Sequence, residues 1–533
     1  MISSLILNGG IGMEYNIREF GAVGNGVSID TAAIQAAADA CNEDGHGVIV
    51  IPAGRYITSS VRLYSNTTVR IENGANLLLC TDESQYGNRR GKYDDPFTRD
   101  GAALLDLPHG TELNFMQKMF LAARRCHTDN LFYAKDAENI VIEGDGALIG
   151  QWKAFFNAET GGEDGTYNAL FSDTVPRWQR RLDTGMLLPQ TFRPQFIYMQ
   201  EVKNVRIRNI SLLDCPFFNI RITDSEHIRL ENLNILTEKR CQNTDGINLS
   251  GCRHCFITGC RIVTGDDCIA ISSGEMPPRK YSAEDIVISD CIGSTYSNFF
   301  RIFQGIDIKV CLDENIGTQE SVDVGRTQYV KNINISNCIL EEGGCVANIL
   351  AVYGKIEHIH MQNITVRKGG KDTMVFIAIQ EEGKIRDITI DGLNCCCKGA
   401  AAVLGTTKDS ISRVIFNNCY FYVEPTTKLF GNGLPDPLLQ YWVSDLAPYN
   451  IWLRHATDVR FQNCEVEWGK ADIDDIFEIA DASKRPEMYN EVWREDMGPF
   501  DTWPCIDAYD VDGLDVRDFR GEGFRGCEAV RRR

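Results

Sequence analysis

Short runs of alternating apolar and polar residues recur along most of the chain, and each run is interrupted by a polar turn. Such runs are NVRIRNISLL from residue 204, HIRLENLNIL from 227, HCFITGCRIV from 254 and DIVISDCIGS from 285, and further copies continue to DVRFQNCEVE from 458. Alternation with a period of two predicts β-strands, because successive side chains of a strand point to opposite faces. The copies start roughly 23 to 47 residues apart, a spacing typical of a solenoid.

Units built only from short strands, with no helical segment between them, predict an all-β, single-stranded parallel β-helix. A β-sandwich or a propeller is the alternative, but the spacing is irregular and hairpin signals such as Asn-Gly are missing between the runs. Asparagine tolerates left-handed backbone, and its amide can bond to the same residue of the next coil. We therefore expect ladders at the asparagines that recur in the turns, which are Asn209, Asn232, Asn337, Asn363 and Asn418.

The two ends of the chain differ from the repeat. Residues 19–41 are predicted to form a Gly-rich turn and then an Ala-rich helix with Ser28 or Asp30 as its N-cap. This capping helix would cover the open end of the first coil. The repeat fades towards the C-terminus, so we divide the chain into a β-helix domain, 1–470, and a C-terminal extension packed on it, 471–533.

Composition excludes some partners without changing the predicted fold. Hydrophobic residues make up 43% of the 533 residues, enough for a large core. The net charge of −20 argues against nucleic acid or an anionic membrane as a partner, but it leaves room for a local basic pocket that binds an acidic sugar. No stretch approaches transmembrane length, and the opening residues lack the basic segment of a secretory signal. Together with the 20 cysteines, this predicts a reducing, cytoplasmic location.

Three aspartates stand in glycine-containing motifs: Asp245 in NTDG, and the adjacent Asp266 and Asp267 in GDDC. One short coil separates them, so Asp245 is expected to stack on one of the pair at an inter-strand distance of roughly 4.8 Å. Gly265 would permit a turn that directs both neighbouring carboxylates outward. Crowded carboxylates repel one another, so at least one should keep a proton near neutral pH. A protonated acid beside a carboxylate that activates water is what a glycosidase needs; a solvated or calcium-binding cluster is the alternative.

NTDG followed by GDDCIAI resembles the polygalacturonase family, family 28 of the glycoside hydrolases. FGAVGNGVSIDTAAIQAA near the N-terminus, NLFYAKDAENIVIEGDGALIGQ from residue 130 and RPQFIYMQEVKNVRIRNISLLDCPFFNI from residue 193 are also similar to that family. The similarity runs over residues 15–420. It implies a right-handed parallel β-helix that hydrolyses pectic glycosides with inversion and needs no cofactor or metal.

The resemblance also implies roles for individual residues. Asp266 would be the general acid, and Asp245 and Asp267 would hold and activate the attacking water. Asn243, in the NTDG motif, would line the same cleft. Inversion requires the acid and the base to lie about 6.5–9.5 Å apart, which leaves room for the water.

Two motifs of the family are missing from this chain. Where the family has Gly-His-Gly, CIGSTYSNFFRIFQG contains no histidine, and Asn298 is the nearest positional substitute. Arg301 and Gln304 follow on the same predicted strand and are expected to project into the cleft. Where the family has Arg-Ile-Lys, which binds the carboxylate of galacturonate, the chain offers Asn348, Tyr353 and Lys355 in EEGGCVANILAVYGK.

The loss of the Arg-Ile-Lys motif puts the sugar in question. A uronate at the cleavage site would need another cation, for which Arg301, Arg326 and Lys355 are the candidates. Otherwise the sugar at that position is neutral, such as a rhamnose-containing or galactosidic unit. The predicted partner is in either case an oligosaccharide.

Several other motifs have simpler structural interpretations. His358 and His360 share a strand face but are better explained as exposed strand residues than as a metal pair. The Cys252–Cys255 motif has no second CxxC at zinc-ribbon spacing. The adjacent Phe217 and Phe218 either stack on a sugar or pack in the core.

Two long insertions, 93–128 and 152–192, interrupt the repeat, and at one edge of the cleft they would close it into a pocket that favours removal of terminal sugars. We therefore expect exo-action on pectin-type oligosaccharides. The alternatives are a β-helix lyase that holds calcium with the same acids, and a carbohydrate-binding β-helix without catalytic activity.

Overall fold

The computed structural model describes residues 13–87, 129–157, 188–189, 193–241, 243–273, 281–305, 323, 325–369, 373–424, 450–469 and 503–533. In these ranges nearly every strand pairs in parallel with the equivalent strand one coil away, so that the strands form one continuous stack. The prediction of an all-β, right-handed parallel β-helix is confirmed. The predicted insertion 93–128 lies outside the described residues, as does most of 152–192.

The N-terminal part contains β1 Glu14–Asn16, β2 Asn25–Ile29, β3 Gly47–Ile51, β4 Gly54–Thr58, β5 Val61–Arg62, β6 Thr67–Ile71, β7 Ala75–Leu79, β8 Asn130–Lys135, β9 Glu138–Gly144, β10 Ala147–Ile149 and the antiparallel pair β11 Phe156–Asn157 and β12 Leu188–Pro189. Its helices are α1 Thr31–Glu43, α2 Ser84–Gly87 and the 3-10 turns Ile17–Phe20 and Trp152–Ala154.

The central part contains β13 Gln195–Gln200, β14 Lys203–Arg208, β15 Ser211–Leu213, β16 Ile220–Thr223, β17 Glu226–Glu231, β18 Asn234–Leu236, β19 Ile247–Ser250, β20 Arg253–Thr258, β21 Arg261–Thr264, β22 Ile269–Ser273, β23 Ala283–Ser289, β24 Ile292–Thr295 and β25 Asn298–Gln304. The C-terminal part contains β26 Tyr329–Glu342, β27 Cys345–Ala351, β28 Lys355–Val366, β29 Thr373–Ile379, β30 Lys384–Cys397, β31 Gly399–Leu404, β32 Ile411–Asn417, β33 Tyr420–Val423, β34 Ile451–Gln462, β35 Glu465–Trp468, β36 Ile506–Asp512, β37 Asp515–Arg517 and β38 Val530–Arg532.

The capping helix forms where the sequence predicts it. Helix α1 begins directly after Asp30, and its buried face, which includes Ile34 and Cys41, packs on the core of the solenoid. Asp30 occupies the N-cap position, but its carboxylate accepts hydrogen bonds from the amides of Val23 (2.7 Å) and Gly24 (3.2 Å) and none from its own helix. The N-cap residue therefore fixes the Gly-rich loop in front of the helix.

The core is built from columns of apolar side chains that stack coil upon coil. Ile220, Ile247, Ile269 and Phe300 are in register on four consecutive strands, and all four are buried. Because the side chains of a strand alternate, the residue after each of these faces away from the core. One sheet of the solenoid thus carries an outward column beside the apolar one, and the column positions the site described below.

The C-terminal residues continue the same winding. Strand β36 pairs in parallel with β34, from Ile451↔Ile506 onward, and β37 pairs with the later part of β34. The proposed boundary at residue 470 remains a prediction, since residues 470–502 lie outside the described ranges. Among the described helices, none has both the length and the apolar character that a membrane span requires.

The predicted asparagine ladders are present. The five asparagines named from the sequence all have a left-handed backbone, with φ between 53° and 60°. The amide of Asn232 donates to Asn209 Oδ1 (3.3 Å), and that of Asn363 donates to Asn337 Oδ1 (2.8 Å). The amide of Asn418 continues the pattern on Asp391 Oδ1 (2.8 Å). Asparagine therefore has two functions here: it accepts the strained backbone and links consecutive coils.

Replacing Asn363 by alanine should lower the free energy of unfolding by about 1–3 kcal/mol, because alanine pays the left-handed backbone cost and loses the ladder bond. Asn363→Gly loses only the bond, so its destabilisation should be clearly smaller. Thermal unfolding of the two variants and the parent protein measures the difference. Equal melting temperatures for the alanine and glycine variants would contradict this account of the turn.

Candidate active site

The three aspartates lie at the start of two neighbouring strands in the same sheet. Asp245 precedes β19, and Asp266 and Asp267 precede β22, which stacks directly on β19. The amide of Gly246 donates to the carbonyl of Asp267 at 2.9 Å, which fixes the register of the two turns. The side chains are buried, with Asp245, Asp266 and Asp267 only 5%, 7% and 1% exposed. The expected stacking of the acids across one coil is confirmed.

Threonine hydroxyls hold the turn that carries the acid pair. Thr264 Oγ1 and Thr295 Oγ1 both donate to the backbone carbonyl of Asp266, at 2.8 and 2.5 Å. The amide of Gly265 donates to Thr244 Oγ1 at 2.9 Å. Gly265 does not have a positive φ; a Cβ there would lie 1.9 Å from the carbonyl oxygen of Cys241. Glycine is needed at this position for space and not for backbone freedom, which corrects the reason given from the sequence.

Asp267 is surrounded by hydrogen-bond donors. Its Oδ1 accepts from Ser297 Oγ (2.9 Å), from Asn298 Nδ2 (2.6 Å) and from the Asn298 amide (3.3 Å). Its Oδ2 is paired with Arg301 Nη1 at 3.3 Å. Asn348 Nδ2 in turn donates to Asn298 Oδ1 at 3.3 Å and orients that amide. This set of donors favours the ionised form of Asp267.

The other two aspartates have fewer donors among the described residues. Asp245 Oδ2 accepts from Asn248 Nδ2 at 2.9 Å. Asp266 Oδ2 accepts from Asn243 Nδ2 at 3.4 Å, and Arg193 Nη2 donates to Asn243 Oδ1 at 3.2 Å. Asn243 therefore lies in the cluster, as the resemblance implied, and it has a left-handed backbone with φ 55°.

Burial and mutual repulsion shift the ionisation of the cluster. Burial first, and then the charges of Asp266 and Asp267, raise the pKa of Asp245 well above its usual range. Burial also raises the pKa of Asp267, as does Asp266, while Arg301 and Asn298 act in the opposite direction. The raised pKa values of Asp245 and Asp267 are in the direction of the expected proton retention near neutral pH, which itself stays a prediction.

Asp245→Asn should stabilise the protein at neutral pH. An aspartate of an unfolded chain ionises near pH 4, whereas folded Asp245 resists ionisation, so Asp245 destabilises the folded state increasingly as the pH rises from about 4 towards its raised pKa. We expect the variant to gain about 1 kcal/mol or more at pH 7, with the gain decreasing towards pH 4 and disappearing below it, where Asp245 is protonated in both states. Melting temperatures across this pH range test the prediction.

The exposed Asp145 provides a control, since Asp145→Asn should change stability by less than about 0.5 kcal/mol at any of these pH values. A lower melting temperature for Asp245→Asn at pH 7 would contradict the prediction, because it would mean that the folded protein stabilises the Asp245 carboxylate.

The structure places the remaining predicted site residues in different surroundings. Asn298 and Arg301 contact Asp267, as given above. Gln304 is fully buried, and its amide bonds to the backbone of Gly325 and Gly354 (2.8 and 2.5 Å), so it does not project into the cleft as expected. Lys355 begins β28, a strand that pairs with β26 and β30 and not with the strands of the site.

Of the three cations considered for a uronate, only Arg301 is seen to contact the acids. Arg326 makes a two-bond ion pair with Glu382 at the surface, with both bonds at 3.1 Å. No hydrogen bond or ion pair joins Lys355 to the cluster within the described ranges. Arg326 and Lys355 are therefore not in position to bind a uronate beside the aspartates.

The sequence reasoning missed Arg193, Asn248 and Ser297, which each bond to the acids or to Asn243. It also missed Arg221, which lies next to Asn248 in the outward column, with its guanidinium 5.1 Å from the ring centre of Phe218. The alternation of side chains along a strand would have predicted that Asn248 and Arg221 face outward, because each directly follows an isoleucine that points into the core.

The phenylalanine pair, the CxxC motif and His358, which the sequence left with structural interpretations, have contacts within the protein. Phe217 is buried and Phe218 half-buried, and Arg193 lies 4.6 Å from the ring centre of Phe217. Cys252 is a buried thiol that donates to the carbonyl of Ile222 at 3.3 Å. His358 Nδ1 lies 3.4 Å from a carboxylate oxygen of Asp387, one coil along.

The fold and the aspartate cluster together define a parallel β-helix protein with three buried aspartates in the turns of adjacent coils. Residues 127–293 match the family described as glycosyl hydrolases family 28, and residues 15–162 match rhamnogalacturonase A/epimerase, pectate lyase-like. These matches confirm the resemblance to the polygalacturonase-like family that the sequence motifs indicated.

Named relatives have related descriptions. A probable polygalacturonase of Vitis vinifera is 27% identical over 336 residues, which cover 60% of this chain and 58% of the relative. An exopolygalacturonase of Zea mays is 25% identical over 268 residues, half of each chain. The chain thus spans about half the length of the curated relatives it matches.

Solved structures show the same fold. The family 28 exopolygalacturonase of Yersinia enterocolitica has a TM-score of 0.55 at 15% identity, over 94% of this chain and 78% of its own. The exopolygalacturonase of Thermotoga maritima has a TM-score of 0.51 at 16% identity, over 85% and 92%. At these identities the likeness establishes the fold alone.

Proposed function

We propose that the protein hydrolyses O-glycosidic bonds of pectin-type oligosaccharides with inversion at the anomeric carbon. The observation that carries the proposal is the cluster of three buried aspartates in which the groups have unequal surroundings. Burial raises the pKa of both Asp245 and Asp267, but several donors and a guanidinium act in the opposite direction on Asp267, whereas Asp245 has one amide donor among the described residues. Groups with different proton affinities at one site are what acid–base hydrolysis requires.

In this proposal Asp267 is the base. Its carboxylate, held by Ser297, Asn298 and Arg301, orients a water molecule and takes a proton from it as the water oxygen bonds to the anomeric carbon. The bond from that carbon to the leaving oxygen breaks, and the leaving oxygen takes a proton from the acid. The resemblance assigns the acid to Asp266, and the raised pKa of Asp245 makes it a second candidate for the proton donor.

The charges around the cluster support an acidic sugar. Arg221 and Arg301 lie on the strands next to those that carry the aspartates, and Arg193 donates to Asn243, although the chain as a whole has a net charge of −20. Arg301 is paired with Asp267, so it contributes to the base as well as to any sugar carboxylate. A uronate bound on the Arg221 side would be close to a second guanidinium.

Burial along the outward column supports action at a chain end. The column runs from Arg221 through Asn248, Ala270, Arg301 and Asn348 to later coils. Beyond Asn348 the same column holds Phe376, Ala402 and Trp452, which are at most 2% exposed. A sugar chain that extends along the solenoid axis is therefore blocked on that side. A cytoplasmic location also remains a proposal, based on the cysteine-rich composition.

Incubation with digalacturonate, trigalacturonate, rhamnogalacturonan oligosaccharides and neutral galactosides, followed by proton NMR, tests the function. We expect a saturated product whose first-formed anomer is opposite to that of the substrate, released one unit at a time. Asp266→Asn should form no product. An unsaturated, ultraviolet-absorbing product that disappears with chelator would instead indicate a lyase, and binding without product would indicate a carbohydrate-binding protein. Mixed early products from a polymer would contradict exo-action.

A further inference from the structure

An exposed tyrosine lies two residues before a residue that holds the base. The connection between β24 and β25 consists of Tyr296 and Ser297 only. Ser297 and the following Asn298 both bond to Asp267. Tyr296 itself is 38% exposed, while the residues after it are buried. The residues that follow Tyr296 thus attach its turn to Asp267, while the tyrosine ring itself remains accessible to a ligand.

Charged groups from other coils hold this ring in place. Lys239 Nζ lies 4.4 Å from the centre of the Tyr296 ring. The same ammonium donates to Glu342 (2.7 Å) and Ser294 (3.2 Å), and the lysine side chain is only 16% exposed. Glu342 also pairs with Lys368 at 2.6 Å. Two ammonium groups and one carboxylate leave a net positive charge beside the ring.

We propose that Tyr296, backed by Lys239, is a stacking platform for the sugar unit next to the one that is cleaved, and that the platform favours a unit bearing a carboxylate. The inference rests on the proposed function for the existence of a cleaved unit. The physical basis is that an aromatic side chain offers an apolar face with little conformational freedom to lose. The positive charge of the two lysines attracts the carboxylate of a uronate.

A second exposed aromatic residue forms a similar cation–ring pair but lies away from the aspartates. Phe256 is 39% exposed, and the guanidinium of Arg229 lies 4.5 Å from its ring centre. However, Phe256 is on β20, which pairs with β17 and β23 and not with the strands that carry the acids. Phe256→Ala is therefore a matched control for an exposed ring away from the site.

Steady-state kinetics with di- and trigalacturonate test the platform. For Tyr296→Ala we expect KM for trigalacturonate to rise about 5–10-fold with little change in kcat, since the lost contact is one aromatic interaction made equally before and during reaction. Tyr296→Phe, which keeps the ring, and Phe256→Ala should both behave as the parent protein. An unchanged KM in Tyr296→Ala, or a loss confined to kcat, would overturn the inference.

Binding separates this inference from the proposed function. If the parent protein hydrolyses neither oligosaccharide, saturation-transfer NMR with trigalacturonate still reports contact with the protein. Signals present for the parent and Tyr296→Phe but weakened for Tyr296→Ala would support the platform without hydrolysis. Equal signals for all three proteins, or none for the parent, would overturn it.

Discussion

Replacing Asp267 with asparagine should lower kcat by about 10³-fold, the typical contribution of a positioned acid or base. The amide is nearly the same size as the carboxylate but cannot take a proton from water. It also turns an acceptor into a donor: with its oxygen on Ser297 and Asn298, its NH2 group faces the guanidinium of Arg301. Turnover of the oligosaccharide that the parent protein hydrolyses fastest measures the effect.

Ser297→Ala is the matched control for Asp267→Asn. It removes one donor from the same carboxylate oxygen and leaves the two bonds from Asn298. The base remains ionisable, so its kcat should fall far less, by about tenfold, as expected for one hydrogen bond. Circular dichroism establishes that both variants are folded. If Asp267→Asn keeps more than a tenth of the parent kcat, Asp267 is not the base.

The sequence was informative wherever a rule of regular winding applies. The spacing between Asp245 and the GDD motif corresponds to one coil, and the structure stacks these residues as expected. The turn asparagines were equally readable, because only a few residue types tolerate a left-handed backbone. In both cases the information is local in sequence and repeated from coil to coil.

The predictions for Arg301, Gln304 and Lys355 depended on the direction of each side chain, and only that for Arg301 agrees with the structure. Arg301 and Gln304 are three residues apart on one strand, so they point to opposite faces, and Gln304 shares the inward face with Ile302. Applying the period of two consistently would have excluded Gln304 from the cleft. Lys355 was chosen for its distance from Asn348 in the sequence, yet the chain turns after Ala351, and Lys355 begins another strand.

The contribution of Arg193 was not predictable from strand periodicity. It precedes β13, and its long side chain reaches Asn243, fifty residues later in the sequence. The spacing rule applies to backbone registry, while a long arginine side chain can bridge to neighbouring coils. Only the coordinates reveal such contacts.

The tight turn at Gly265 has no room for a side chain, and this turn holds Asp266 and Asp267 in place. Besides Cys241, the carbonyl of Lys239 lies 2.8 Å from where a Cβ would be. Both are backbone atoms, which cannot rotate away as a flexible side chain would. The two threonine hydroxyls on the Asp266 carbonyl oppose a shift of the turn. Any added atom therefore displaces either this turn or the one below it.

Gly265→Ala should reduce kcat/KM by about 10²-fold or more and lower the melting temperature, since relieving the 1.9 Å contact requires a displacement of about 1 Å at the acid pair. Gly325→Ala is the control, because the nearest atoms to its Cβ lie at 3.8 Å and its φ is not positive. That variant should keep the activity and stability of the parent. An active Gly265→Ala protein would mean that the acids tolerate displacement, which is incompatible with a site whose chemistry depends on the registry of two adjacent coils.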